Sequence, residues 1–131
     1  MEGILFVCVK NSARSQMAEA FFNKMAKEAK ASSAGTKPAQ TVNPIAIMVM
    51  KEIGIDISKN KPKLLTFEML TAADKVITMG CMVGDVCPAT IVETEDWSIE
   101  DPCGKPIEKF REVRDIIKKK VERLLNDLKR K

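Results

Sequence analysis

Ile4-Leu5-Phe6-Val7-Cys8-Val9-Lys10-Asn11-Ser12-Ala13-Arg14-Ser15-Gln16-Met17 is the stretch on which the fold turns. Its first five residues form an unbroken apolar run directly after Gly3. Such a run predicts a strand buried on both faces, the type found in parallel sheets. Lys10-Asn11-Ser12 then supplies a polar turn. From about Ala13 the period becomes helical. Met17, Phe21 and Met25 recur every fourth residue, with Ala18 and Phe22 beside them, so one face is apolar.

The turn between that strand and that helix carries chemistry. Cys8 and Arg14 stand in the pattern C-x5-R. At this place the backbone N–H groups of a turn and of a helix N-terminus can converge on one anion. Lys10, Asn11, Ser12, Ala13, Arg14 and Ser15 are the candidate substrate-binding residues, and the small or polar ones let the backbone wrap closely. Arg14 adds a planar, two-pronged donor suited to a tetrahedral oxyanion. The same dipoles favour the thiolate of a cysteine at their focus, so Cys8 is the candidate nucleophile without help from imidazole. Ser15 can donate a hydrogen bond to that thiolate. The plain alternative is a buried strand-end cysteine followed by a surface arginine.

Outward from this unit, strands and helices alternate. Ala31 to Ala34, closed by Gly35, predicts a second strand. Asn43-Pro44 reads as an N-cap and first-turn proline. The helix behind it runs through Ile45, Met48, Val49 and Glu52 and stops near Gly54. A short helix around Phe67 to Ala73 precedes a strand at Lys75 to Met79. Thr90 to Glu93 predicts a fourth strand. Trp97 to Gly104 is loop, and a last helix begins near Pro106. Its apolar stripe is Phe110, Val113, Ile117, Val121, Leu124 and Leu128. The expected fold is α/β, three layers α/β/α around a four-stranded parallel sheet. Ligands in such folds bind beyond the carboxyl ends of the strands. Cys8, Gly80-Cys81 and Asp101 all fall just past predicted strands or in loops after them.

The whole chain narrows the options. Its 131 residues suit one domain, 1–131, with 45% hydrophobic and 31% charged side chains. No apolar run approaches the roughly 18 residues that span a bilayer. Met1-Glu2-Gly3 before Ile4 to Val7 is too short and wrongly charged for a signal peptide. A cytoplasmic protein with no membrane partner is expected. Net charge is +4, and from Lys105 onward there are 11 basic and 5 acidic residues. The apolar stripe makes this the solvated face of a helix rather than a nucleic-acid site, so no nucleic-acid partner is expected. A monomer is expected. The chain has no histidine. That removes Ser-His-Asp hydrolysis, Cys-His proteolysis and every histidine-containing metal site. Four cysteines remain, Cys8, Cys81, Cys87 and Cys103, with catalytic use, redox use and plain burial all open.

The sequence Val7-Cys8-Val9-Lys10-Asn11-Ser12-Ala13-Arg14-Ser15-Gln16-Met17-Ala18-Glu19 resembles the signature of arsenate reductases built on the low-molecular-weight tyrosine phosphatase fold. The likeness continues in order through Ser33-Ala34-Gly35, Val42-Asn43-Pro44, Ile55-Asp56-Ile57-Ser58, Val76 to Cys81, Cys87-Pro88, Trp97, Asp101-Pro102 and Gly104-Lys105. Both branches of this superfamily share the nucleophilic cysteine, the arginine and a late Asp-Pro. In the phosphatases, the resemblance implies that Asp101 protonates a leaving group and water frees phosphate. In the reductases, it implies that further thiols reduce the bound arsenic.

Three features favour reduction. Cys81 and Cys87 flank the loop Met82-Val83-Gly84-Asp85-Val86, and thiol–disulfide exchange needs such mobility. Cys103 follows Asp101-Pro102, where the phosphatases usually carry an aromatic. The chain also has no tyrosine and few aromatics with which to line an aryl pocket.

The resemblance thus implies catalytic roles for Cys8, Arg14, Asp101, Cys81 and Cys87, with either Cys81 or Cys87 attacking first. It implies no tightly bound cofactor, an arsenate or phosphate oxyanion as substrate, and regeneration by thioredoxin or a low-molecular-weight thiol. Six positions separate Cys81 from Cys87, where thioredoxin-coupled members typically have seven. Met79-Gly80-Cys81 looks like members served by a small thiol such as mycothiol. A potassium site is implied at Asn11, Glu19 and Ser33, although the family's further acidic ligand falls at Thr66 here. Lys10 stands where the family usually has glycine. Plainer readings of the other cysteines are a loop cysteine and a packed one for Cys81 and Cys87, and a neutral replacement for Cys103.

Overall fold

The apolar run of the opening segment becomes the centre of a sheet. In the computed structural model, residues 3–26, 29–80 and 94–129 are described. Strand β1 (Gly3–Cys8) pairs in parallel with β2 (Lys30–Gly35) on one side and β3 (Lys75–Thr78) on the other. β3 pairs in parallel with β4 (Thr94–Asp96), giving the order β2-β1-β3-β4. The pattern predicts the fourth strand at 90–93. Those residues lie outside the described ones, and the strand found beside β3 is Thr94–Asp96.

Side chains of β1 alternate between two cores, as a period of two requires. Ile4, Phe6 and Cys8 join the larger core with α1 (Arg14–Met25), α2 (Pro44–Lys51) and α4 (Ile107–Lys129). Leu5 and Val7 join the smaller one, with Ala34, Val76 and Leu70 of α3 (Phe67–Ala72). Helices therefore cover both faces of the sheet. This is the three-layer α/β/α arrangement expected from the alternation of strands and helices.

Phe6 is fully buried, with its ring centroid 6.1 Å from Phe22 and 5.6 Å from Trp97. Truncating such a ring to alanine costs about 3–5 kcal/mol. The stripe of α4 is buried at Phe110, Val113, Ile117, Val121 and Leu124, while Leu128 is partly buried. No helix among the described residues is long and apolar enough to cross a membrane.

The edge strand β2 is blunted by a side chain. Asn23 of α1 donates to Ala31 O at 3.0 Å and accepts from Ala31 N at 2.8 Å. Its amide answers two of the backbone groups that a further strand would otherwise take. The carboxyl ends of β1, β2 and β3 share one edge of the sheet, and the loop after Cys8 lies on that edge.

Candidate active site

The loop from Cys8 to Ser15 closes around the cysteine sulfur. Asn11 adopts φ 51°, a left-handed conformation that asparagine tolerates better than most residues. This turns its N–H back to donate to Cys8 Sγ at 3.2 Å. Asn11 Nδ2 donates to Ser15 Oγ at 2.6 Å, and Ser15 Oγ lies 2.9 Å from Cys8 Sγ. With its oxygen already accepting from Asn11, the Ser15 hydroxyl is free to direct its hydrogen at the sulfur. Ala13 occupies the N-cap of α1 and no side chain caps that helix, so its first N–H groups are left for an anion.

Arg14 is buried and oriented from behind. Its Nη1 donates to Met79 O at 3.1 Å and to Ile99 O at 2.9 Å, and its Nη2 lies 3.9 Å from Asp101 Oδ2. The Ile99 carbonyl arrives there through a corner. Ser98 takes φ 49°, with its N–H and hydroxyl held by the Asp96 carboxylate at 3.3 and 2.9 Å. Ile99 N then meets Met79 O at 2.9 Å. Burial opposes ionisation of Asp101. The backbone N–H and thiol of Cys103, with the charges of Arg14 and Lys10, outweigh it and hold the carboxyl below the usual carboxylate range.

The structure thus brings together Cys8, Asn11, Ser12, Ala13, Arg14, Ser15 and Asp101. Lys10 is exposed at the rim, and its charge reaches Asp101 and Cys103. Cys81 and Cys87 lie outside the described residues.

Several supporting residues lie outside the candidate site set. Gln16 is buried and donates to Asn11 O at 3.2 Å, Asn11 Oδ1 at 3.1 Å and Lys61 O at 3.3 Å, while accepting from Asn60 at 3.2 Å. Lys63 N donates to Asn11 Oδ1 at 2.9 Å. The segment 60–63 is therefore a brace behind the loop. Gly35, at the end of β2, makes a second brace: a Cβ there would stand 2.6 Å from Val9 O. Gln16 and Gly35 sit inside or beside the recognisable motif, which was the available signal; the reach of 60–63 had none.

Asn11, Glu19 and Ser33, the potassium ligands implied by resemblance, are close together but already committed. Ser33 Oγ donates to Glu19 Oε1 at 3.0 Å, and Lys63 Nζ lies 3.9 Å from the same oxygen. Asn11 Oδ1 accepts two N–H bonds, and Thr66 Oγ1 caps α3 by accepting from Met69 N at 3.1 Å. A lysine ammonium already balances Glu19, so this donor set does not fit a potassium ion.

The arrangement offers an oriented sulfur nucleophile, donors for a tetrahedral anion and an ionised carboxylate at the mouth. The family model for low molecular weight phosphotyrosine protein phosphatase matches residues 3–131. The chain is 40% identical over 121 residues to arsenate reductase 2 of Staphylococcus haemolyticus, covering 91% of this chain and 92% of that one. Among solved structures, the YwlE arginine phosphatase from Geobacillus stearothermophilus is similar, with TM-score 0.86 and 32% identity, covering 98% of this chain and 94% of that one. A thioredoxin-dependent arsenate reductase of Corynebacterium glutamicum gives TM-score 0.81 and 34% identity over 98% of this chain and 62% of that one.

Proposed function

The chain belongs to the low molecular weight phosphotyrosine protein phosphatase family, and we propose that within it the protein reduces arsenate to arsenite with electrons from thiols. The observation that carries the chemistry is the convergence of the Asn11 N–H and the Ser15 hydroxyl on Cys8 Sγ, with Arg14 fixed beside them. The choice of arsenate is supported by the 40% identical relative and by Cys103 standing after Asp101-Pro102.

The first step balances without an outside proton. Cys8 thiolate attacks the arsenic of the dihydrogen arsenate monoanion. One arsenic–oxygen bond breaks, and a doubly charged thioarsenate on Cys8 and a water molecule form. Asp101, ionised in the free protein, relays one arsenate proton to the leaving hydroxyl. Arg14 and the loop N–H groups hold the three oxygens on which charge collects. A second thiol, Cys81 or Cys87, then attacks Cys8 Sγ. The sulfur–arsenic electron pair leaves with arsenic, which takes up protons from the thiol and from water and departs as arsenite. The remaining thiol of that pair attacks the new disulfide, releases Cys8 and leaves Cys81–Cys87 oxidised for a thioredoxin-like dithiol or a small thiol to reduce. A cycle fed by reduced thiols is supported best by a reducing compartment, and the proposed one is the cytoplasm.

Mass spectrometry of thiol-trapped protein after one turnover with arsenate tests the scheme. A Cys81–Cys87 disulfide and arsenite in equal amount are expected. Steady turnover in a Cys81→Ser, Cys87→Ser double variant with thioredoxin as sole reductant would overturn the internal cascade. Cys8→Ser and Arg14→Ala are each expected to abolish reduction. A phosphatase is the second reading, favoured by the structural likeness to an arginine phosphatase at 32% identity. Hydrolysis of a phosphate ester or phosphoarginine far faster than arsenate reduction would establish it.

A further inference from the structure

Cys103 is a half-buried thiol that the disulfide cascade leaves unused. It follows Asp101-Pro102 at the mouth of the loop. Its N–H donates to Asp101 Oδ1 at 3.0 Å, and its Sγ accepts from Asn43 Nδ2 at 3.6 Å. The N–H and the thiol of Cys103 both favour the ionised form of the Asp101 carboxylate. Asn43 is pinned twice more. Its N–H donates to Ser12 O at 2.9 Å, and its Oδ1 accepts from Ile45 N at 2.8 Å where α2 begins. One asparagine thus ties the anion loop, the start of α2 and the Cys103 sulfur together.

We propose that Cys103 is a positioning residue: its sulfur, seated on Asn43, fixes the backbone N–H that holds the Asp101 carboxylate over the Cys8–Ser15 loop, and it stays reduced throughout turnover. The inference deepens the arsenate reductase reading and rests on it. Three groups face Asp101: Arg14 from α1 at 3.9 Å, Lys10 from the loop, and Cys103 from its own segment. Burial, then the hydrogen bond and charge of Asp101, push the Cys103 thiol up, against the opposing effects of Lys10 and Ser12. A thiol kept protonated is a poor nucleophile for disulfide exchange.

The test compares Cys103→Ala and Cys103→Ser with the unaltered chain. Steady-state kinetics with arsenate, binding of inorganic phosphate and a carboxyl-carbon NMR titration of Asp101 are measured together. The alanine variant is expected to lose about tenfold in kcat, the worth of one hydrogen bond to a charged group. Its phosphate affinity stays unchanged, and Asp101 titrates at higher pH. Serine, which restores an acceptor for Asn43, recovers both kcat and the titration. Trapping after one turnover finds Cys103 as a free thiol. A disulfide containing Cys103, unaltered kcat in the alanine variant, or a serine variant as slow as alanine would each overturn the proposal. Aryl phosphate hydrolysis is followed in parallel to keep the two readings apart. An unaltered chain that cleaves the ester but leaves arsenate untouched refutes the reductase reading. In that event the alanine loss and serine recovery on the ester still decide the role of Cys103.

Discussion

Gly35 governs how tightly the anion loop can curl. A Cβ at this position would meet Val9 O at 2.6 Å and the Asn11 backbone N at 3.0 Å, both too close to be relieved by a rotamer change. Gly35→Ala is therefore expected to push the loop off the end of β2. The cost is about 1–3 kcal/mol, as for other overpacked sites, with a parallel loss of phosphate affinity. Urea denaturation and calorimetric titration read the two effects, and a variant with native stability and affinity would refute the brace. Lys63 carries a second residue-scale expectation. Its ammonium balances Glu19, so replacing potassium with sodium at fixed ionic strength should leave both melting temperature and turnover unchanged. A rise specific to potassium would show that the ion displaces Lys63. Cys8, Asn11, Arg14 and Ser15 were legible as a loop because strand, turn and helix are contiguous in the chain. Lys63 was not, because its contact with Glu19 spans 44 positions and depends on how segment 60–63 crosses the loop.

At the scale of elements, α2 and α4 are joined by a polar clasp across the larger core. Arg114 is nearly buried, and its Nη1 donates to Val49 O at 2.9 Å and to Glu52 Oε1 at 2.8 Å. Arg111 adds a two-pronged pair to the same carboxylate, with contacts from 2.7 to 3.2 Å. Arg114→Ala leaves the Val49 carbonyl without its partner, for an expected loss of about 1–3 kcal/mol in denaturant unfolding. Arg111→Ala removes an exposed pair and is expected to cost less than about 1 kcal/mol. Equal losses in the two variants would contradict this ranking. Most elements were readable from periodicity and punctuation. Asn43-Pro44 marked the start of α2, and the Asn43 side chain does accept from Ile45 N at 2.8 Å. β4 was harder to place. Thr94–Asp96 is short and polar, so its identity as a strand comes from pairing with β3 and not from an apolar pattern. The Ser98 corner was equally silent, since nothing in its neighbours signals the left-handed conformation that carries Ile99 O to Arg14.

Over the whole molecule, the absence of histidine shapes the response to pH. Among the described residues, every carboxylate with a resolved shift is held below its ordinary range. Hydrogen bonding to Arg111 leads for Glu52, and to Ser58 for Asp56. Burial opposes ionisation at Glu95 and Asp96, where Trp97 and Lys75, and Thr78 and Ser98, more than offset it. Asp101 follows the same pattern beside Cys103 and Arg14. A carboxylate whose folded pKa is depressed contributes stability that is complete above its unfolded pKa, about 4, and is lost as pH falls through the folded value. The Cys103 thiol is shifted the other way and stays neutral in this range. No side chain in these groups changes charge between about pH 6 and 8, the interval in which an ordinary histidine titrates. The melting temperature is therefore expected to be flat from about pH 8 to 6 and to fall only below about pH 4. Scanning fluorimetry across a buffer series of constant ionic strength checks this. A stability step centred near pH 6.5, where an unperturbed histidine would titrate, would contradict this expectation and require a group outside these whose charge changes there.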